Sequence, residues 1–161
     1  MRHRDPGLET CFDPVIRGQN TKRTLITGIF AVTLSVVSEF ALALESLAEL
    51  KWKNRVVLLD AGENAGHFQD ELTAADYEIV DRDILWFILD DNGIATNYTG
   101  MVSPEFSSRI REDYFADGSK VVLVGKDGGV KYRHKTLELP DIFFHIDAMP
   151  MRQQEMQDNA N

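Results

Sequence analysis

Two uninterrupted apolar runs, "RVVLLDA" over Arg55 to Ala61 and "DILWFILDDNG" over Asp83 to Gly93, constrain this chain more than any other feature. Neither alternates polar with apolar residues, so each reads as a strand buried on both faces, as in a parallel sheet covered by helices. Between them, Phe68, Leu72 and Ala75 recur at helical spacing in the stretch Glu63 to Asp76, which carries acidic side chains at both ends. Strand, helix, strand in that order predicts a right-handed parallel crossover unit, and Asn92-Gly93 predicts a turn closing the second strand.

The segments that follow add a helix, a hairpin and a last helix. "SPEFSSRIREDYF", Ser103 to Phe115, predicts a helix with Ser103 as its cap, Pro104 in its first position, and Phe106, Ile110 and Tyr114 four residues apart. "VVLVGKDGGVKYR", Val121 to Arg133, sets Lys126 among three glycines after an apolar run, as some phosphate-binding loops do. Such a loop needs Ser or Thr after the lysine, and then a helix whose N-terminal amides meet the anion. Here Lys126 precedes the glycine pair and the next segment alternates as a strand. A β-hairpin is expected instead, with Gly128 and Gly129 supplying positive φ and Lys126 as a solvated turn residue. Asp141 to Ala148 predicts the last helix, with Ile142, Phe143 and Ile146 on one face and an end at Met149, before Pro150. Leu47, Leu50 and Trp52 are expected to cover one end of the core.

Charge narrows the partners. The 161 residues suit one domain, and 26 acidic against 17 basic side chains give a net charge of -9. Nucleic acid and anionic membrane surfaces would be met against long-range repulsion, so neither is expected as a partner. The first 23 residues nevertheless carry Arg2, Arg4, Arg17, Lys22 and Arg23, and Leu25 to Val37 then carries no charge. That run falls short of the roughly 18–20 residues a bilayer span needs and suits the apolar part of a secretory signal, about 7–15 residues long. Ala41 and Ala43 form the small-x-small pattern of a cleavage site. The expectation is a signal peptide over 1–43 and one exported domain over 44–161, with its core at about 47–156 and no membrane anchor once cleaved. Five basic and four acidic residues precede Leu44, leaving 12 and 22 on the remaining 118, a net charge of -10. The chain's one cysteine, Cys11, lies in the segment to be removed, so the domain has no disulfide and no thiol nucleophile.

Four strings, "WKNRVVLL", "DRDILWF", "VVLVGKDGGVKYR" and "IDAMPMRQQEM", together resemble the DUDES-type domain, a thioredoxin-like, peroxiredoxin-related domain of bacterial envelope and animal extracellular-matrix proteins. The similarity runs from Leu47 to Met156, and Lys126, Asp127, Gly128, Gly129, Lys131, Asp147, Pro150 and Arg152 belong to its most specific strings. It implies a three-layer thioredoxin-like α/β fold, made of a βαβ unit, a helix, a β-hairpin and a C-terminal helix, and it implies export. It brings no activity with it. In redox-active thioredoxin relatives a low-pKa thiolate follows the first strand at a helix N-terminus, and a cis-proline precedes the hairpin. This chain has Gly62-Glu63-Asn64-Ala65 and Asp117-Gly118-Ser119 at those places. Thiol-disulfide exchange and cysteine peroxidase chemistry are therefore excluded for the domain acting alone.

His67, His134 and His145 lack the close pairing of a zinc site, and neither a metal nor a cofactor is expected. Asp90-Asp91-Asn92-Gly93 reads as a polar turn rather than a calcium loop, and Asn97-Tyr98-Thr99 is a formal glycosylation sequon. In "MPMRQQEM", Pro150 starts a new helical turn in which Arg152 and Glu155 are expected to pair at i,i+3, with Met149, Met151 and Met156 packed back on the core. In the functional reading of the same stretch, Met151 and Met156 form an adaptable contact surface anchored by Arg152. The expected function is a non-catalytic binding or structural module that meets an envelope or extracellular protein. The alternative is an enzyme using carboxylate or imidazole chemistry in a cleft beside Glu63 and His67.

Overall fold

A computed structural model describes residues 43–160. The predicted signal segment, except for Ala43, lies outside the described residues. The two apolar runs become β1 (Arg55–Asp60) and β2 (Ile84–Leu89), which pair in parallel with Arg55 opposite Ile84 and Asp60 opposite Leu89. With β3 (Ile94–Thr96), β4 (Val121–Val124) and β5 (Val130–His134) they form a five-stranded sheet in the order β3-β2-β1-β4-β5, in which every other pairing is antiparallel.

The lack of alternation in the runs has a direct cause: each strand feeds two cores. On one face Val57 and Leu59 of β1, Trp86 and Ile88 of β2 and Leu123 of β4 pack with Leu72, Ile79, Ile142 and Ile146. Those four come from α1 (Ala65–Ala74), α2 (Asp76–Asp81) and α4 (Leu139–Asp147). On the other face Val56, Leu58, Phe87, Leu89 and Val122 pack with Leu47, Leu50, Phe106, Ile110 and Phe115. Phe106 and Ile110 lie on α3 (Phe106–Tyr114), and Leu47 and Leu50 on a short 3-10 turn. Helices thus cover both faces of a mixed sheet, a three-layer α/β arrangement consistent with a thioredoxin-like fold. Among the described residues no helix is long and apolar enough to cross a membrane.

Several local expectations change. Trp52 does not cover the core: it is 67% exposed, with φ +64. A bulky residue in that left-handed region carries a steric cost, and its amide spans the bend by donating to the Lys126 carbonyl at 2.7 Å. The predicted first helix, Glu63 to Asp76, is α1 and ends at Ala74, and a second helix that was not expected, α2, follows it. Helix α3 starts later than expected, with Glu105 as N-cap, so Ser103 does not cap it. The Ser103 hydroxyl is buried without a partner, and its carbonyl accepts from the Phe106 amide at 3.1 Å.

Asp90 Oδ1 accepts from the Asn92 and Gly93 amides at 2.7 Å each, so the polar turn forms and hands the chain to β3. Beyond β3 the Asn97 side chain continues the pairing as a strand would. Its Oδ1 accepts from the Trp86 amide at 2.9 Å and its Nδ2 donates to the Ile84 carbonyl at 3.1 Å, which commits the sequon amide to β2.

The β4–β5 hairpin is present, with the Gly125 amide donating to the Gly129 carbonyl at 2.9 Å. Of the glycine pair, Gly128 takes positive φ, +80, and Gly129 does not, because one left-handed residue is enough to reverse the chain here. A Cβ on Gly128 would stand 2.2 Å from Lys51 Cε, a contact a flexible side chain can relieve, but the backbone strain would remain. Gly128→Ala is therefore expected to cost about 1–2 kcal/mol and Gly129→Ala only a few tenths, read from urea midpoints of the two variants.

Candidate functional site

The start of β1, the residues before β2 and the residue group after β4 meet at one end of the sheet, and a fifth helix, α5 (Pro150–Asn159), closes over them. All four strings quoted above converge there, through their charged residues. Arg55 opens β1 with its side chain 1% exposed. Its Nη1 donates to the Arg82 carbonyl at 2.9 Å, and its Nη2 reaches both Glu155 oxygens at 3.3 and 3.1 Å.

Glu155 also accepts from Lys126 Nζ at 2.7 Å, and the same ammonium reaches Asp83 Oδ2 at 2.8 Å. Lys126 is thus not a solvated turn residue: its side chain is 9% exposed. The alternation that identified the hairpin could not show that the lysine folds inward onto α5.

A second group adjoins the first. Arg82 grips Asp147 with two bonds, Nε to Oδ1 at 3.0 Å and Nη2 to Oδ2 at 2.7 Å, and its guanidinium stands 4.8 Å over the Phe143 ring. Arg152 donates to the Asp81 carbonyl at 2.7 Å, pairs with the Asp81 carboxylate, and reaches Asp147 Oδ1 at 3.4 Å. Four cations thereby pair with four carboxylates, and each of the cations, which are the more buried partners, makes at least two bonds, the condition under which charges tolerate removal from water.

Arg152 and Glu155 do not pair with each other as expected. They take separate partners, and Arg152 is only 4% exposed, so it anchors α5 inward rather than presenting itself at a contact surface. Met151 and Met156 are exposed, whereas Met149 packs partly against the core.

Burial pushes the Glu155 carboxyl up, but hydrogen bonding from Lys126 and the charge and hydrogen bonding of Arg55 outweigh it and hold it below the ordinary value. Asp147 behaves alike: burial raises it, and the bonds and charges of Arg82 and Arg152 bring it below the ordinary value. Both carboxylates are fixed in the charged form.

Beside this network lies a cavity of about 530 Å³ between the β4–β5 turn and the α4–α5 elbow. Gly125, Lys126, Asp127 and Lys131 form one side, Ala148, Met149, Pro150 and Met151 the other, and Arg55 and His145 complete it. Lys131 Nζ donates to Asp127 Oδ2 at 2.6 Å. The His145 Nδ1 lies 2.7 Å from the Asp141 carbonyl, which can only accept, so that nitrogen is the donor of the pair. The His145 ring packs at 4.5 Å from Tyr132. An apolar wall facing a few convergent polar groups, at this volume, has the make-up of small-molecule sites, which run to about 300–1,000 Å³.

The structure does not bring the other candidates into this cavity. Glu63 is exposed in the 3-10 turn after β1, His67 is exposed on α1 beside Phe68, and neither lines the cavity. His134 bonds locally with Thr136. Of the residues named from the specific strings, Lys126, Asp127, Lys131 and Pro150 line the cavity, Gly128 and Gly129 complete the adjoining turn, and Asp147 and Arg152 hold the elbow. Arg55, Arg82, Asp83 and Glu155 were missed as site residues. The clue open to inspection was Arg55 at the head of an otherwise apolar strand.

Comparison with known proteins adds one finding: the sequence model of a family described as a domain of unknown function, DUF4174, matches residues 46–155. No curated protein and no solved structure matches the chain.

Proposed function

We propose that this chain, which belongs to the DUF4174 family, is an exported, non-catalytic thioredoxin-like binding module whose contact site is the cavity between the β4–β5 turn and the α4–α5 elbow. The observation that carries the reading is the convergence there of strings lying as far as 100 residues apart in sequence. The place where redox-active thioredoxin relatives keep a thiolate has Gly62-Glu63-Asn64-Ala65 instead, and the chain's one cysteine is Cys11. Binding that involves no reactive group at that end is the function these residues favour. The partner class is an envelope or extracellular protein or its ligand, and the resemblance to DUDES-type domains supports the same location.

Export is supported by the basic flank, the uncharged run and the Ala-Leu-Ala site described above. The Leu44 side chain is buried and its nitrogen donates to the Met101 carbonyl at 2.8 Å, so cleavage after Ala43 would free a terminus already seated on the domain. The test is photo-crosslinking in cells that make the full chain, with a benzophenone side chain at Met151 or, as control, at His67. The expected result is a chain beginning at Leu44 with a discrete adduct from position 151. An unprocessed chain would sink the export reading, and adducts from position 67 alone would move the contact site to the other end of the sheet.

A further inference from the structure

We propose that the cavity binds a free monocarboxylic acid carrying an apolar tail, an inference that rests on the binding-module reading above and names its ligand class. The domain is strongly acidic as a whole, yet the cavity is lined by Arg55, Lys126 and Lys131 against one carboxylate, Asp127. Oxygen ligands have donors to meet. An ammonium has three, of which Lys126 spends two on Asp83 and Glu155 and Lys131 spends one on Asp127.

Each lysine thus keeps hydrogen-bonding capacity without giving up its own pair. The wall also contains Arg55, whose buried Nε has no acceptor among the described residues. Glu155 balances its charge, so what Arg55 adds to the wall is a hydrogen-bond donor.

The opposite wall selects for the tail. Ala148, Met149, Pro150 and Met151 offer no charge, and methionine side chains adapt to an aliphatic chain of variable length. A carboxylate without a tail would leave that wall wet, and a tail without a carboxylate would leave the remaining N–H donors of the lysines unused.

Gly125 is a positioning residue in this account. Lys131 folds across it so closely that an added Cβ would meet Lys131 Cε at 2.7 Å and Asp127 Oδ1 at 2.8 Å. Its φ is not in the left-handed region, so alanine fits the backbone and acts by pushing the Lys131–Asp127 pair aside.

The experiment is titration of the full-length protein with sodium octanoate, followed by backbone amide NMR shifts, beside acetate, 1-octanol and a tripeptide ending in leucine with a free carboxylate. Octanoate is expected to shift Gly125, Lys131, Ala148 and Met151, and to bind at least tenfold more tightly than any of the other three. Lys131→Glu and Gly125→Ala are each expected to weaken octanoate at least fivefold while the amide spectrum stays folded.

Octanol binding as well as octanoate, or unchanged affinity in both variants, would overturn the proposal. Tighter binding of the tripeptide would also overturn it, in favour of a partner's C-terminus. A failed octanoate titration together with a position-151 adduct removes the ligand class and leaves the binding-module reading standing.

Discussion

Replacing Arg55 by alanine is expected to lower the stability of the domain by about 3 kcal/mol, a loss large enough to threaten folding at 37 °C. Arg55 sits at the head of the central strand, and its guanidinium satisfies the Arg82 carbonyl and both oxygens of Glu155. Truncation leaves a carbonyl without its donor, a carboxylate with Lys126 as its remaining cation, and a void where a large buried side chain stood. Each adds to the cost. Arg55→Met fills much of the void and isolates the polar share of the effect. The measurement is equilibrium urea unfolding of both variants. A loss under about 1 kcal/mol for the alanine variant would mean that α5 is held by something other than this network.

The second large effect is acid release of the elbow. Glu155 and Asp147 both lie below their ordinary values in the folded domain, so as pH falls the unfolded chain takes up protons before the folded one does. Their contribution is therefore complete above the unfolded values, about 4 to 4.5, and is lost progressively as pH drops through the folded values. Protonation of Glu155 and Asp147 then removes two of the four carboxylates and leaves Arg55, Lys126, Arg82 and Arg152 in excess. Stability against urea should be flat from about pH 7 to 5 and fall steeply below about pH 4. Glu155→Gln should start lower at neutral pH and show a shallower acid limb, because one of the two titrations has been removed. An equally steep limb in that variant would place the acid response elsewhere.

These two effects mark where sequence reasoning stopped. The four main strands and the hairpin were legible because an unbroken apolar run, a helical spacing and an Asp-Gly pair are local signals, each set by a few neighbouring residues. β1 even falls at the centre of the sheet, as its double-sided burial required. β3 was missed because three half-buried residues after a turn carry too little pattern to distinguish a strand from a loop.

The network was invisible for a different reason. Arg55 and Glu155 are 100 residues apart, Arg152 and Asp81 71 apart, Arg82 and Asp147 65 apart. A charged residue in a sequence proposes only its near neighbours as partners, which is why Arg152 was matched with Glu155 one helical turn on. The convergence of the four strings became meaningful only once the fold had set their ends side by side.

Helix α5 buries one residue fully, and that residue is Arg152. Most helices dock through an apolar stripe, whose grip levels off on warming, while the penalty for keeping charges away from water falls as temperature rises. A helix seated by guanidinium and ammonium groups therefore loses less of its hold on heating than the cores on either face of the sheet. The mouth of the cavity is accordingly expected to keep its shape up to temperatures at which apolar packing alone would let it spread.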